Sequence, residues 1–150
     1  MLAARHPEAL VIGLDRSEHR LSKSEGRLTG NCLFLRVNCE DVWRLCVKEG
    51  LRFKKHYILY PNPYPKAEHL KRRWHGHSVF PELAELSEEI ELRSNWSTYL
   101  EEFKIAWRLL TNREAELSQL QLQHEDHALT LFERKYFLSG QPLYQLIAAP

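Results

Sequence analysis

Apolar residues in this chain fall into short runs separated by charged and turn-forming stretches, and the length and period of each run predict its element. Residues 10–14, within ALVIGLD, are a brief apolar run closed by Gly13 and Asp15 and predict a buried strand. Residues 33–37, LFLRV, predict a second strand, closed by the polar NCED at 38–41. Residues 56–60, HYILY, predict a third that runs directly into a proline-rich turn, and residues 90–93 predict a fourth. Between them, residues 16–28 predict a polar-faced helix, residues 42–47 a short helix with Val42, Leu45 and Cys46 on one face, and residues 81–87 another. Residues 98–110 give the clearest helix, with Tyr99, Phe103, Ala106, Trp107 and Leu110 at helical spacing and assigned to core packing. After a polar stretch, residues 128–138 and 143–148 read as two strands around SGQP, a hairpin signal containing Gly140 and Pro142.

Strands that alternate with helices over this length predict βαβ units and a mostly parallel, doubly wound α/β sheet, with the terminal hairpin adding antiparallel strands at one edge. In such sheets ligands sit outside the carboxyl ends of the strands, where the strand order reverses. That rule selects three places, each following a predicted strand: Asp15, residues 38–41, and the turn NPYPK at 62–66.

Composition narrows the class. At 150 residues the chain is expected to be one domain, and 43% hydrophobic with 27% charged residues excludes disorder. No apolar run approaches the roughly 20 residues of a membrane span. The N-terminal MLAARHPEAL lacks the apolar core of a secretory signal, so a cytoplasmic protein is expected. Cys32, Cys39 and Cys46 are odd in number and contain no C-x-x-C pair, which predicts neither a disulfide framework nor a zinc knuckle. His69, His75 and His77 lack acidic or cysteine partners, so no metal is expected. Net charge is only +1, yet four Lys or Arg and one Glu lie between Lys66 and Arg73. Such a patch on a neutral domain either binds a phosphate backbone or is a solvated cationic helix start.

Each of the three places has two readings. Asp15 suits a ribose diol or a helix N-cap. Asn38 with Glu40 and Asp41 suits an adenine amino group or, again, a cap; two such strand ends in succession suit a nucleoside-containing cofactor. Pro61, Pro63 and Pro65 fix alternate φ angles and push the preceding residues toward extended geometry, so Asn62 and Tyr64 are expected in defined directions. The loop is either a rigid connector or a grip for a planar base, with Asn62 as donor and acceptor and Tyr64 as stacking face.

The stretch YPNPYPKAEHLKRR at 60–73 resembles the FPDPWPK-x-x-H-x-KRR segment of bacterial transfer-RNA guanine-N7 methyltransferases. RSNW at 93–96 is similar to that family's TDW, and TLFERK at 130–135 to its T-x-F-E; the three occur in the family's order, and the resemblance runs from about residue 8 to about residue 148. It implies a Rossmann-like, S-adenosylmethionine-dependent methyltransferase fold acting on transfer RNA. By that resemblance Asp15 holds the cofactor ribose, Asn38, Cys39 and Glu40 lie at the adenine, and Asn62 sits between cofactor and guanine as a binding and catalytic residue. Lys66 matches a substrate-binding lysine, and Glu68, His69, Lys71, Arg72 and Arg73 the segment that meets RNA. Asn95 with Thr130, Phe132 and Glu133 completes the guanine pocket.

Two departures bear on function. Asn62 and Asn95 stand where the family carries aspartates, and Tyr64 replaces a tryptophan. The family's glycine-rich turn has no counterpart, since Gly13 is the first glycine and lies inside a predicted strand. The sequence is therefore expected to begin within the helix that follows that turn, either clipped at Met1 or lacking its first βα unit, which would open an apolar slot in the sheet. Two functions follow: guanine-N7 methyl transfer, or a degenerate methyltransferase-like module that binds RNA or serves a protein partner. A third is methyl transfer to another planar acceptor.

Overall fold

A computed structural model of the chain describes residues 2–21 and 28–149. The chain divides into two units, Met1–Leu45 and Cys46–Pro150.

The first unit holds helix α1 (Leu2–Arg5), strand β1 (Val11–Asp15), helix α2 (Glu18–Leu21), strands β2 (Leu28–Thr29) and β3 (Cys32–Arg36), and the start of helix α3 (Cys39–Lys48). β1 runs parallel to β3 in the register Val11↔Cys32 to Asp15↔Arg36, and β2 runs antiparallel to β3 on its other side. Gly13 lies opposite Phe34, whose ring covers it: a Cβ there would stand 2.5 Å from Phe34 Cδ1. The glycine inside the strand is thus a packing requirement. Asn31 Nδ2 donates to the carbonyls of His6 (2.8 Å) and Ala9 (2.7 Å), tying the segment before β1 to the entry of β3.

The second unit holds strand β4 (His56–Leu59), helix α4 (Phe80–Leu86), strand β5 (Ile90–Ser94), helix α5 (Ser97–Thr111), strand β6 (Ala115–Gln119), helix α6 (Leu131–Leu138) and strand β7 (Tyr144–Ala148). Its sheet has the order β4-β5-β7-β6, with β4 and β5 parallel and β7 antiparallel to both neighbours. Phe80, Leu83, Leu92, Phe103, Trp107 and Leu146 are among the side chains buried at its centre. Phe103 and Trp107, one turn apart on α5, stack at 6.3 Å, and Phe80 meets Phe103 edge-on at 5.1 Å. Asn112 ends α5 in the left-handed region (φ 56°) and its N–H donates to Arg108 O at 2.9 Å, a C-cap that asparagine tolerates.

The mixed sheets with helices agree with the α/β class expected from the strand and helix pattern, and several elements differ from expectation. Residues 131–138 are helix where a strand is predicted. Thr130 Oγ1 accepts the Glu133 N–H at 3.0 Å, so T-x-x-E here is a helix start whose cap overrides the local strand tendency. Besides β5, the antiparallel neighbour of β7 is β6, whose sequence AELSQ is too polar to predict a strand alone. Of residues 16–28, Glu18–Leu21 are helical, Leu28 is strand, and residues 22–27 lie outside the described residues. Leu110 ends 41% exposed rather than in the core. No helix among the described residues is long and apolar enough to cross a membrane.

Candidate active site

In the first unit, β1 and β3 deliver their carboxyl ends side by side, joined by Val37 N–H donating to Asp15 O at 3.1 Å. Asp15 Oδ1 accepts the Ser17 N–H at 2.8 Å and so turns the chain out of β1 toward α2. Asn38 precedes α3; its Nδ2 donates to Asp41 Oδ2 at 3.2 Å, and its carbonyl accepts the Val42 N–H at 3.3 Å. Glu40 and Asp41 occupy the first turn of α3, where carboxylates complement the helix dipole. Burial, then the negative charges of Glu40 and Asp15, push the Cys39 thiol up to about 11, so it stays protonated at neutral pH. Asp15, Asn38, Cys39 and Glu40 therefore share one rim. A half-exposed carboxylate, an amide and a neutral thiol there match the hydroxyls and ring edge of a nucleoside, so the donor set fits the nucleoside part of S-adenosylmethionine.

In the second unit, β4 leads into the prolyl bend. Tyr60 continues the ladder by donating its N–H to Arg93 O at 2.8 Å, but at φ 52°; Tyr64 also has a positive φ, 43°. Residues before proline were expected to be extended, and for both Tyr60, before Pro61, and Tyr64, before Pro65, the structure overturns this. A bulky residue held at positive φ before a proline carries strain that surrounding contacts must hold. Asn62 is exposed, and its Oδ1 accepts the Tyr64 N–H at 3.3 Å. Asn95 follows β5, the parallel neighbour of β4, so it shares the bend's rim; its Nδ2 donates to Gln141 Oε1 at 2.8 Å.

After the bend the chain forms two 3-10 turns, Ala67–Arg72 and Trp74–Gly76. Lys66, Glu68, Lys71 and Arg72 are exposed. The Arg72 guanidinium lies 5.8 Å from the Tyr64 ring centre, and His69 meets the same ring edge-on at 6.0 Å. Arg73, expected to hold RNA phosphate, is instead 5% exposed. Its Nε and Nη2 donate to Tyr64 O at 3.1 and 3.0 Å, Nη2 also to Pro65 O at 3.3 Å, and Nη1 to Glu102. The reason is geometric: a planar five-donor guanidinium satisfies the carbonyls that the prolines leave without ladder partners. Gly76 lets the two 3-10 turns close on each other, since a Cβ there would stand 2.3 Å from Leu70 O.

Glu133 also differs from expectation. Assigned to the base edge, it is fully buried: Oε1 accepts from Tyr60 OH at 2.9 Å and Arg93 Nη1 at 3.1 Å, and Oε2 accepts the Leu129 N–H at 2.6 Å. Arg93 Nε also donates to Glu91 Oε1 at 2.6 Å, and Glu91 Oε2 pairs with Lys55 Nζ at 2.7 Å. Burial alone would raise the Glu91 carboxyl, but Lys55 and Arg93 outweigh it and hold it below the usual range. Burial, then the Glu133 charge, raises the Tyr60 phenol, which therefore stays protonated and donates. Thr130 is the α6 cap, and Phe132 is 45% exposed beside it. Sequence reasoning missed Lys55, Tyr60, Glu91, Arg93 and Glu102; the signal for two of them was E-L-R at 91–93, opposite charges two apart on one face of a strand. Among the described residues no group of three or more His, Cys, Asp or Glu is arranged to hold a metal.

The fold is one that methyltransferases share. Among solved structures the chain is similar to an "antibiotic related methyltransferase", with TM-score 0.67, 13% identity, and coverage of 99% of this chain and 80% of that one. It is also similar to SMU.776, described as "a putative methyltransferase complexed with SAH", with TM-score 0.54, 13% identity, and coverage of 91% of this chain and 38% of that one. At such identities the likeness concerns the fold. A comparison with curated proteins found no match. The family model described as "Putative methyltransferase" matches residues 1–146, and the chain belongs to that family, the one of the transfer-RNA guanine-N7 methyltransferases. The cofactor implied by the family is S-adenosylmethionine.

Proposed function

We propose that this chain transfers the methyl group of S-adenosylmethionine to N7 of a guanine in transfer RNA, with residues 1–150 forming one methyltransferase domain of a cytoplasmic protein. The observation that carries the reading is the sequence of features at the β4 rim: an exposed amide, Asn62, on a proline-locked bend, followed at once by exposed Lys66, Lys71 and Arg72. Asp15 accepts from the ribose hydroxyls, and Asn38, Cys39 and Glu40 face the adenine. Asn62 orients the guanine, Asn95 and Phe132 border it, and Glu68 and His69 flank the cations that hold phosphates. Those cations position without reading sequence.

Bound S-adenosylmethionine supplies an electrophilic methyl on a sulfonium. Guanine N7 carries a lone pair and no proton, so the protein needs no strong base; its residues orient the base and exclude misaligned approaches. Thr130 and Glu133 act in this reading by holding α6 and the bend in place. The test is incubation of the protein with labelled S-adenosylmethionine and transfer RNA, followed by nucleoside analysis. Label in 7-methylguanosine, raised by Asn62→Asp, supports the reading, and label in another nucleoside moves it to a different acceptor.

The amides at 62 and 95, where the resembled family has carboxylates, favour a second reading: a methyltransferase-like RNA-binding module or the partner of a catalytic subunit. RNA binding without methyl transfer by wild type or by Asn62→Asp would select it.

A further inference from the structure

Arg73 is the most constrained cation of the basic segment, and every bond it makes points inward. Its guanidinium grips Tyr64 O through two donors at 3.1 and 3.0 Å and Pro65 O at 3.3 Å, and lies 5.4 Å from the Trp96 ring centre. Glu102 of α5 accepts from Arg73 Nη1 and sits 2.9 Å from His75 Nε2. Burial lowers the His75 imidazole, favouring its neutral form, and its Nε2 faces the Glu102 carboxylate; its buried Nδ1 has no hydrogen-bond partner among the described residues. The helix that carries Glu102 is itself fixed by fully buried Phe103 and Trp107, and Tyr99 OH accepts the Trp74 N–H at 2.9 Å. The strained residue Tyr64, at φ 43°, is therefore referenced to α5 through one side chain.

We propose that Arg73, Glu102 and His75 form an internal clamp that fixes the prolyl bend and thereby positions Asn62 for methyl transfer, with Arg73 making no contact to RNA. The proposal rests on the methyltransferase reading for its catalytic part, and on the geometry of the bend alone for its structural part. Arg73 and Glu102 are positioning residues. Lysine cannot replace Arg73, because a single ammonium lacks the fork that spans two carbonyls and a carboxylate. Glu102 separates the alternatives cleanly. Were Arg73 a phosphate contact, removing its acidic partner would free the guanidinium and strengthen RNA binding. As a clamp component, Glu102 is required, and its loss resembles the loss of Arg73.

The experiment compares wild type, Glu102→Gln, Arg73→Lys and Arg72→Ala by amide hydrogen exchange over residues 60–67 and by transfer-RNA methylation and binding across salt concentrations. The clamp predicts faster exchange in the bend for Glu102→Gln and Arg73→Lys. It also predicts a kcat lower by about tenfold to a hundredfold, the scale of a misplacement near 1 Å, with KM and the salt slope of binding unchanged. Arg72→Ala should instead flatten the salt slope. Tighter RNA binding by Glu102→Gln, unchanged exchange, or faster exchange with unchanged kcat would each overturn the proposal. If Arg73→Lys fails to fold, the nearly isosteric Glu102→Gln carries the test. If wild type methylates no RNA, the functional reading fails by itself, and exchange in the bend still decides the clamp.

Discussion

Tyr60 donates its hydroxyl hydrogen to Glu133 at 2.9 Å, linking the first residue of the prolyl bend to α6 across 73 positions of sequence. Glu133 also holds Arg93 and caps the Leu129 amide, so one buried carboxylate joins β4, β5 and the entry to α6. Its removal leaves Arg93 partly unpaired inside the protein. Glu133→Ala is expected to destabilise by about 3–5 kcal/mol, the range for breaking a buried pair from one side. Tyr60→Phe should cost about 0.5–1.5 kcal/mol, the net worth of one hydrogen bond. Urea denaturation of the three proteins measures both differences.

The salt dependence of RNA binding should divide the basic segment. Lys71 and Arg72 are exposed, and each phosphate contact contributes about 0.7–0.9 to the slope of log affinity against log salt. Lys71→Ala with Arg72→Ala is therefore expected to flatten the slope by about 1.5. Filter binding over a potassium chloride series reads it directly.

Stability should fall in mild acid. Burial lowers His56 from its ordinary 6.5 to about 4, while its Nδ1 lies 3.3 Å from Ser87 Oγ. The unfolded chain takes up a proton there that the folded one resists, so the contribution of His56 is complete above 6.5 and is lost as pH falls toward 4. His75, also lowered by burial, acts in the same sense. Melting temperature measured between pH 7 and pH 4.5 should drop less in His56→Gln than in wild type.

Gly76→Ala places a methyl 2.3 Å from Leu70 O, a backbone atom that cannot swing aside. The two 3-10 turns must then separate, at about 1–3 kcal/mol by the scale of overpacked sites. Thermal unfolding measures the loss, and faster proteolysis within residues 67–76 would locate it.

The strand ends were legible because short apolar runs closed by Asp15, Asn38 or a proline have few other interpretations; β1, β3, β4 and β5 lie within a residue or so of expectation. α5 was legible for a similar reason, since Tyr99, Phe103 and Trp107 repeat at helical spacing. β6 was not, because AELSQ gains its strand character from lying against β7, a partner distant in sequence. α6 was misread because Phe132, Tyr136 and Phe137 favour strands, whereas Thr130 and Glu133 set a cap that decides the outcome. Within the site, the exposed residues at 62–72 could be placed from local pattern. The inward turn of Arg73 and Glu133 could not, since it depends on Glu102, Tyr60 and Arg93, each far away along the chain.

The position of β7 between β5 and β6 imposes an order on biosynthesis. A ribosome finishes β6 well before the segment that must bridge it to β5, and until then both strands present unsatisfied edges. Residues 144–148 thus work as a keystone inserted last, so nascent protein halted before them should be the species most prone to chaperone capture or aggregation.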